Sequence, residues 1–329
     1  MSPSEARAPG TPRPEPTAAG FASGAASRLR RRLLATRPAF FPASVAPVII
    51  GSAWGYRTAG HFDWTVFILA LLATLLVHLA CNVLNDVGDE LTGADRQNED
   101  RIFPYTGGSR FIQNGIMSTA EMTTWGLTLL GLAALPGIAL LELRGPMILG
   151  FGAVGVLLGV LYSLPRIQLS AHGLGEAAIA IAFGVLPVNG AAWLQSGRID
   201  GASLLISLPV GMWVAAILLM NEVPDRLADA RAGKRTLAVR LGMQGTRALY
   251  LTLHALACAA LLSAGALALV PWWMALLGLT LLPGAWAAAG AVREGTDRAR
   301  LERGIEATLR LHTAGSILVV LCVMVAAFR

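Results

Sequence analysis

Long apolar runs separated by polar links make up most of this chain. Nine runs can be distinguished, and most are close to the roughly 20 residues that an α-helix needs to cross a bilayer. The runs cover residues 39–56, 64–84, 124–141, 147–164, 174–194, 203–220, 248–269, 271–290 and 310–328. This pattern predicts an all-α, multi-pass membrane protein with nine transmembrane helices.

The polar links differ in length, and the three longest fall on one side of the predicted membrane. They cover residues 85–123, 221–247 and 291–309. If the N-terminus is cytoplasmic, 22 of the 26 lysine and arginine residues lie inside. The outside then holds Arg57, Arg144, Arg198 and Arg329. By the positive-inside rule, we expect a cell (inner) membrane protein whose N-terminus and long links are cytoplasmic and whose C-terminus is outside.

Composition agrees with this assignment and argues against other classes. Hydrophobic residues make up 55% of the 329 residues and charged residues 14%, which is too apolar for a soluble domain of average composition. The net charge of +6 would suit a nucleic-acid-binding protein, but the basic residues follow the membrane topology, so no nucleic-acid partner is expected. The spacing of the three cysteines matches no metal or disulfide framework.

The first 37 residues differ from the rest of the chain. Residues 1–27 are rich in Pro, Ala, Gly and Ser and cannot bury enough apolar surface to offset the entropy of ordering. A basic stretch follows, which can begin a signal peptide, but the next apolar run is too long for one and eight more come after it. We therefore predict a disordered basic tail over residues 1–37 and one transmembrane domain over residues 38–329.

Two related acidic segments follow directly on apolar runs. Acidic motif 1 covers Asn85–Asp95 and acidic motif 2 covers Asn221–Arg231, and the two agree without gaps at five of eleven positions. Because both lie at the cytoplasmic ends of membrane-length runs, they suggest a duplicated architecture whose halves converge on one site.

Polar residues in and beside the two motifs recur at spacings of three and four, so they share one face of a helix. These residues are Asn82, Asn85, Asp86 and Asp89 for motif 1, and Asn221, Asp225 and Asp229 for motif 2. Asp95 lies beyond an expected helix break at Gly93. Grouped carboxylates repel each other until a divalent cation neutralises them, and oxygen-only ligands suit Mg²⁺. The alternative interpretation is that they are solvated helix ends in polar loops.

Basic and glycine-rich residues near both motifs are candidates for binding phosphate. Lys234 and Arg235 follow motif 2 and are placed to hold the outer oxygens of a metal-bound pyrophosphate. The glycine loop (residues 106–110) after motif 1 offers backbone amides to an anion, with Ser109 and Arg110 as further donors. The alternative for Lys234 and Arg235 is that they set the membrane orientation or contact anionic lipid.

At these residues the chain resembles a known family. Asn85–Asp95 resembles the first aspartate-rich motif of the UbiA superfamily of intramembrane prenyltransferases, and residues 225–237 resemble its second. The position of Asp95, six residues after Asp89, is similar to the 1,4-dihydroxy-2-naphthoate prenyltransferase branch of menaquinone synthesis. Residues 161–165 and 173–176 also resemble that branch.

The resemblance implies a fold and an activity. We expect nine helices around a central cavity, and a transferase that moves a polyprenyl group from a polyprenyl diphosphate to an aromatic acceptor. Mg²⁺ would be held by the aspartates of both motifs, and the diphosphate by polar and basic residues beside them. The expected metal ligands are Asp86, Asp89, Asp95, Asp225 and Asp229, and all of these except Asp95 are also the expected catalytic residues. The expected substrate-binding residues are Asn85, Asn221, Lys234, Arg235, Arg110, Ser109, Tyr162 and Arg166.

Several alternatives stay open at this point. Tyr162 either shields an allylic cation with its ring or belongs to an interfacial aromatic belt. Arg166 either holds an acidic acceptor or is an ordinary loop residue. The acceptor could also be a hydroxybenzoate, a haem or a chlorophyllide. A secondary transporter is a further possibility, but its ionisable groups would be expected at mid-membrane rather than at the ends of unbroken apolar runs.

Overall fold

The structure, a computed structural model, describes residues 13–21, 24–96, 98–164 and 166–327. Within these ranges the chain is mostly helical and has no β-strand. The helices, in chain order, are α1 (Ala25–Ala35), α2 (Pro42–Ala59), α3 (Trp64–Thr92), α4 (Thr119–Arg144), α5 (Met147–Ser163), α6 (Gly175–Ala180), α7 (Leu186–Ser196), α8 (Gly201–Arg231), α9 (Leu237–Ala266), α10 (Trp272–Leu277), α11 (Leu282–Ala289) and α12 (Arg298–Ala327). The prediction of an all-α architecture is confirmed.

Two of the membrane-length segments are made of joined helices. A π-helical turn over Ile181–Val185 connects α6 to α7, and a 3-10 turn over Gly278–Leu281 connects α10 to α11. Each pair forms one continuous span, Gly175–Ser196 and Trp272–Ala289 respectively. In both of these segments the helical structure continues through the joint.

Eight helical spans in the described ranges are long and apolar enough to cross a membrane. All nine predicted segments fall on helices, but α5, which corresponds to the fourth, has 17 residues and is shorter than the others. The chain is thus a multi-pass membrane protein, and the count of nine crossings stays a prediction.

Part of the predicted tail is ordered, so the expectation of disorder is wrong for residues 25–35. These residues form α1, which ends with the fully buried Ala35 in a cluster that includes Val87 and Phe111. The indole N–H of Trp125 donates to the carbonyl oxygen of Arg32 at 3.0 Å, and the Arg32 guanidinium lies over the same ring. Ala35 is the one buried residue of α1, which the structure describes in full, so this helix contacts the bundle mainly through its C-terminal half. Residues 1–12 lie outside the described ranges.

Both acidic motifs lie on helices that continue past the apolar runs. Helix α3 extends through motif 1 to Thr92 and ends at Gly93, whose φ of 79° is the left-handed conformation that glycine adopts at a helix C-terminus. Helix α8 extends through motif 2 to Arg231. The shared helical faces and the break before Asp95 are therefore confirmed.

Helix α8 lies at the centre of the bundle. In the apolar part of α8, 72% of the residues are buried inside the protein, which is the largest share among the eight spans. Close approach to its neighbours depends on glycine, since a Cβ on Gly184 would lie 2.3 Å from the Cα of Gly211 on α8. This packing holds motif 2 in the interior of the bundle, opposite motif 1.

Helices α2 and α7 also pack through glycine, and this gives a test of the fold. A Cβ on Gly51 would lie 2.1 Å from the carbonyl oxygen of Val188, so Gly51→Ala forces the two backbones apart. We expect a destabilisation of about 1–3 kcal/mol, seen as a lower Tm of the purified protein in detergent. Gly131→Ala on α4 is the control because no atom lies within 4 Å of its Cβ position. Equal Tm values for the two variants would contradict the predicted packing.

Candidate active site

A cavity of about 340 Å³ lies between α3, α5, α8 and the α6–α7 span. Its volume is within the range of small-molecule sites, roughly 300–1,000 Å³. Its wall includes both Ala70 and Asp89 of α3, so the cavity follows that helix for about 28 Å at 1.5 Å per residue. One end is polar and carries residues of both motifs. The remaining walls are mainly apolar, apart from Ser44, Thr74 and His78, and include Val77, Leu140, Ile148, Phe151, Leu158, Phe183 and Leu186.

Motif 1 presents two buried carboxylates at the polar end. The Oδ2 atom of Asp86 accepts a hydrogen bond from the backbone N–H of Ser109 at 2.9 Å. Its Oδ1 atom has no hydrogen-bond partner among the described residues, and Nη1 of Arg37 lies 4.0 Å away. The Oδ1 atom of Asp89 accepts from Nζ of Lys234 at 3.3 Å and from Nε2 of Gln168 at 3.4 Å.

Motif 2 presents its carboxylates from α8. Asp225 accepts from Nδ2 of Asn98 at 2.7 Å and from the backbone N–H of Gly107 at 3.3 Å. The Oδ1 atom of Asp229 lies 3.8 Å from Nζ of Lys234. Asn221 lines the cavity, and its buried Oδ1 atom has no hydrogen-bond partner in the described part of the chain.

Two separate connections bring the motifs together. Lys234 forms ion pairs with Asp89 of motif 1 and Asp229 of motif 2. The glycine loop donates one amide to Asp225 and another, two residues later, to Asp86. Both motifs therefore face one space at one end of the bundle, as the sequence analysis predicted.

Two buried carboxylate oxygens lie close to the backbone of Gly108 and lack donors within the ranges that the structure describes. Gly108, with a φ of 73°, lies where an added Cβ would be 2.4 Å from Oδ2 of Asp95 and 3.1 Å from Oδ1 of Asp86. Both of these oxygens are buried and lack hydrogen-bond partners among the described residues. Buried carboxylate oxygens without donors are destabilising unless a cation compensates them, and such oxygens are the ligands that Mg²⁺ prefers.

The site supplies only part of a coordination shell by itself. Among the described residues, no three His, Cys, Asp or Glu side chains are close enough together to form a complete ion site. Mg²⁺ commonly binds through one or two carboxylates together with water and substrate phosphates. The residues present therefore fit a cation that arrives with a phosphate-bearing ligand.

Burial and mutual repulsion shift the pKa values at this end of the cavity. Burial, followed by the neighbouring carboxylates of Asp89 and Asp86, raises the pKa of Asp95 well above its usual range. Burial alone would lower the pKa of Lys234, but Asp89 and Asp229 outweigh it and raise that pKa well above the usual range. Lys234 is therefore held as a cation within a surplus of acidic groups.

The other predicted substrate-binding residues divide into two groups. Asn85 and Tyr162 lie in the cavity wall, and Nδ2 of Asn85 donates to Oγ of Ser163 at 3.2 Å. Arg166 and Arg235 are exposed and are not part of that wall. The structure therefore brings only the first two next to the motifs.

Two amides of the glycine loop are already bonded to carboxylates. The Gly107 and Ser109 N–H groups donate to Asp225 and Asp86, so Ser109 contacts motif 1 through its backbone. Arg110 is not part of the cavity wall, and its Nη1 atom donates to the carbonyl oxygen of Asp95 at 2.7 Å. Burial, then repulsion from Arg101, lowers the pKa of Arg110. The loop thus positions the acidic residues.

Three residues at the site were missed by the sequence analysis. Arg37 lines the cavity, and its Nη2 atom donates to the carbonyl oxygen of Tyr105 at 2.9 Å. It was counted among the basic residues of the tail, although it directly precedes the first apolar run. Asn98 and Gln168 lie in links without periodicity, and no pattern in the sequence distinguishes them from other loop residues.

Comparison with known proteins gives a consistent result. The UbiA prenyltransferase family matches residues 44–327. The 1,4-dihydroxy-2-naphthoate octaprenyltransferase of Haemophilus influenzae is 33% identical over 256 residues, which cover 75% of this chain and 81% of that protein. The enzyme with the same name from Mycobacterium tuberculosis is 33% identical over 262 residues, which cover 79% of this chain and 85% of that protein.

Solved structures share the fold at much lower identity. A UbiA homologue from Archaeoglobus fulgidus bound to GPP and Mg²⁺ has a TM-score of 0.59 and 16% identity, covering 88% of this chain and 99% of that one. A digeranylgeranylglyceryl phosphate synthase has a TM-score of 0.61 and 15% identity, and the match covers 90% of this chain and 99% of that one.

The close contact at Gly108 gives a test of cation binding. Gly108→Ala would push a methyl group against the unpartnered oxygens of Asp95 and Asp86 and displace them, and we expect Mn²⁺ affinity to fall at least about tenfold, or 1.4 kcal/mol, in an EPR titration with a prenyl diphosphate analogue. Gly115→Ala is the matched control, since Gly115 has a similar φ of 65° but no atom within 4 Å of its Cβ position. Equal affinities in the two variants would contradict a cation site at Gly108.

Proposed function

Because the chain belongs to the UbiA prenyltransferase family, we propose that its cavity binds a polyprenyl diphosphate and an aromatic acceptor and joins them. The diphosphate lies at the polar end, between the two motifs, and the isoprenoid tail lies along the apolar walls. The observation that carries the proposal is the convergence of both acidic motifs on one end of a long apolar cavity. A ligand with a polyanionic head and an apolar tail matches that arrangement.

We take 1,4-dihydroxy-2-naphthoate as the acceptor. Two relatives with that substrate in their names are each 33% identical to this chain over at least three quarters of its length. Hydroxybenzoate, haem and chlorophyllide are the competing acceptors, and a product mass distinguishes among them. The transfer would take place in the cell (inner) membrane, with both motifs and the N-terminus cytoplasmic and the C-terminus outside, as the distribution of basic residues favours.

Mg²⁺ is the proposed cofactor. The residues that would hold it are Asp86, Asp89 and Asp95 of motif 1 and Asp225 and Asp229 of motif 2. When bound, the ion would neutralise charge on the diphosphate and so make it a better leaving group. The unpartnered oxygens of Asp86 and Asp95 beside Gly108 support this assignment.

The protein's own residues act on charge, position and water. Lys234 and Arg37 carry positive charge in the cavity wall, where they stabilise the departing diphosphate as the carbon–oxygen bond breaks. The Tyr162 ring in the same wall faces the space where the allylic carbon becomes cationic. The apolar walls exclude water, which would otherwise capture that carbon before the aromatic ring forms the new carbon–carbon bond. The attacked ring carbon then loses a proton, or carbon dioxide if it carries the carboxylate, and the diphosphate leaves with the electrons of the broken carbon–oxygen bond.

Removal of one carboxylate from either motif tests the proposal. We expect Asp89→Asn and Asp225→Asn each to lower Mg²⁺-dependent turnover at least about 10³-fold, since several kcal/mol of charge stabilisation is lost. Turnover is measured as the prenylated product mass after incubation with mixed polyprenyl diphosphates and candidate aromatic acids. Glu142→Gln, an exposed acid on α4, should keep wild-type activity. Mg²⁺-dependent turnover retained in either aspartate variant would refute the site, and a different product mass would reassign the acceptor.

Adjacent basic residues test the role of Lys234. Lys234→Met removes the cation that pairs with both motifs, so we expect kcat/KM for the polyprenyl diphosphate to fall about 10²-fold, or 2.7 kcal/mol. Lys234→Arg keeps the charge and should recover part of the loss. Arg235→Met makes the same charge change at an exposed position outside the cavity and should have little effect. Comparable losses in Lys234→Met and Arg235→Met would show that overall charge, rather than the site, is responsible.

A further inference from the structure

The stretch just before α1 packs across the polar end of the bundle. Arg13 pairs with two acids on α12: its Nε atom lies 3.0 Å from Oε1 of Glu302, and its guanidinium also contacts Glu306. The same guanidinium lies 5.2 Å from the ring centroid of Tyr105, a residue of the cavity wall. The hydroxyl of Tyr105 donates to Glu306 at 3.2 Å. Arg13 therefore attaches this stretch to both α12 and the loop that precedes the glycine loop.

Glu15 attaches the same stretch to the loop itself. Its Oε1 atom accepts from Nε of Arg101 at 2.7 Å, and its Oε2 atom accepts from Nδ2 of Asn114 at 3.2 Å. Oε2 also lies 3.8 Å from Nε of Arg110. Burial alone would raise the pKa of Glu15, but the hydrogen bonds from Arg101 and Asn114 lower it below the usual range. Glu15 is thus an ionised group that interacts with two arginines of one loop.

Each of these arginines is connected by hydrogen bonds to an aspartate of the site, Arg101 through Asn98 and Arg110 through the Asp95 carbonyl oxygen. Nη1 of Arg101 donates to the carbonyl oxygen of Asn98 at 2.5 Å, and Nδ2 of Asn98 donates to Asp225 at 2.7 Å. Nη1 of Arg110 donates to the carbonyl oxygen of Asp95 at 2.7 Å. Two short chains of contacts therefore run from Glu15, one to each acidic motif.

The loop that carries these residues has, where the structure describes it, no regular secondary structure of its own to hold it in place. Residues 93–118 contain no helix or strand in the part that the structure describes, and such segments open more readily than the helices they join. Arg101 and Arg110 repel each other, and Glu15 lies where it neutralises both. Without Glu15 the two guanidinium groups would move apart and take Asn98 and Asp95 with them.

We propose that residues 13–16 form a strap that holds residues 98–114 against the bundle, and that Glu15 is a positioning residue for the binding of the polyprenyl diphosphate and its divalent cation. The catalytic part of this inference rests on the proposed function. A strap that only stabilised the fold would change the amount of active protein, and so kcat, whereas a positioning role changes the affinity for diphosphate and cation.

The test uses the full chain with Glu15→Gln, which keeps the size of the side chain and removes its charge. Amide hydrogen exchange of residues 98–114 is measured first, without substrate. KM for the polyprenyl diphosphate, the half-saturating Mg²⁺ concentration and kcat are measured next. We expect faster exchange, a rise of at least fivefold in KM and in the Mg²⁺ requirement, and kcat within twofold of wild type. Glu15→Asp should recover part of the affinity because it keeps the carboxylate.

Glu99→Gln is the matched control. Glu99 is an exposed acid in the same loop and has no ion pair within the described ranges, so its replacement should change neither exchange nor KM. Unchanged exchange in Glu15→Gln would overturn the strap, and faster exchange with unchanged KM would overturn the positioning role. If the wild-type protein transfers no prenyl group, the proposed function is refuted. The exchange measurement would still decide whether the strap holds the loop.

Discussion

The structure depends on the electrostatic repulsion among carboxylates gathered at one end of an otherwise apolar cavity. One oxygen of Asp86 and one of Asp95 lie close to Gly108, and Asp89 and Asp229 both pair with Lys234. Burying charges in a bundle of apolar helices costs several kcal/mol per group unless each is well paired. Here the pairing is incomplete, since oxygens of Asp86 and Asp95 lack donors in the described chain. In the function proposed above, this deficit of positive charge is what draws a cation, and the anionic ligand that accompanies it, to the site.

The rest of the fold fixes the positions of the groups that create this deficit of positive charge. Helices α3 and α8 continue beyond their apolar parts and present the motifs from opposite sides, while Lys234 and the glycine loop keep the two sides at a fixed separation. In the proposed reaction, the apolar walls behind the motifs would hold the hydrocarbon tail and keep water from the reacting carbon. Two basic residues, Arg37 and Lys234, lie in the cavity wall, and Lys234 pairs with one carboxylate of each motif.

Much of this arrangement was predictable because it follows from local patterns. The apolar runs identified the helices, the spacing of Asp86 and Asp89 placed them on one face, and Gly93 marked the end of α3. The remaining features depend on contacts between residues distant in sequence. Arg37 enters the cavity because its guanidinium bonds to Tyr105, and the glycine loop binds carboxylates because α8 brings Asp225 to it. The tail was judged by its own composition, and the few contacts that its helix makes with α3 and α4 near the end of α1 have no signal in that composition.

The central claim is that aspartates of both motifs act on one metal–diphosphate unit. The most direct measurement is an experimental structure with Mn²⁺ and a non-hydrolysable polyprenyl diphosphate analogue, in which anomalous scattering locates the ion. The account predicts ion density between α3 and α8, in contact with the analogue's phosphates and with carboxylates from both helices. Density that contacts carboxylates of one motif alone, or that lies away from the polar end of the cavity, would contradict it.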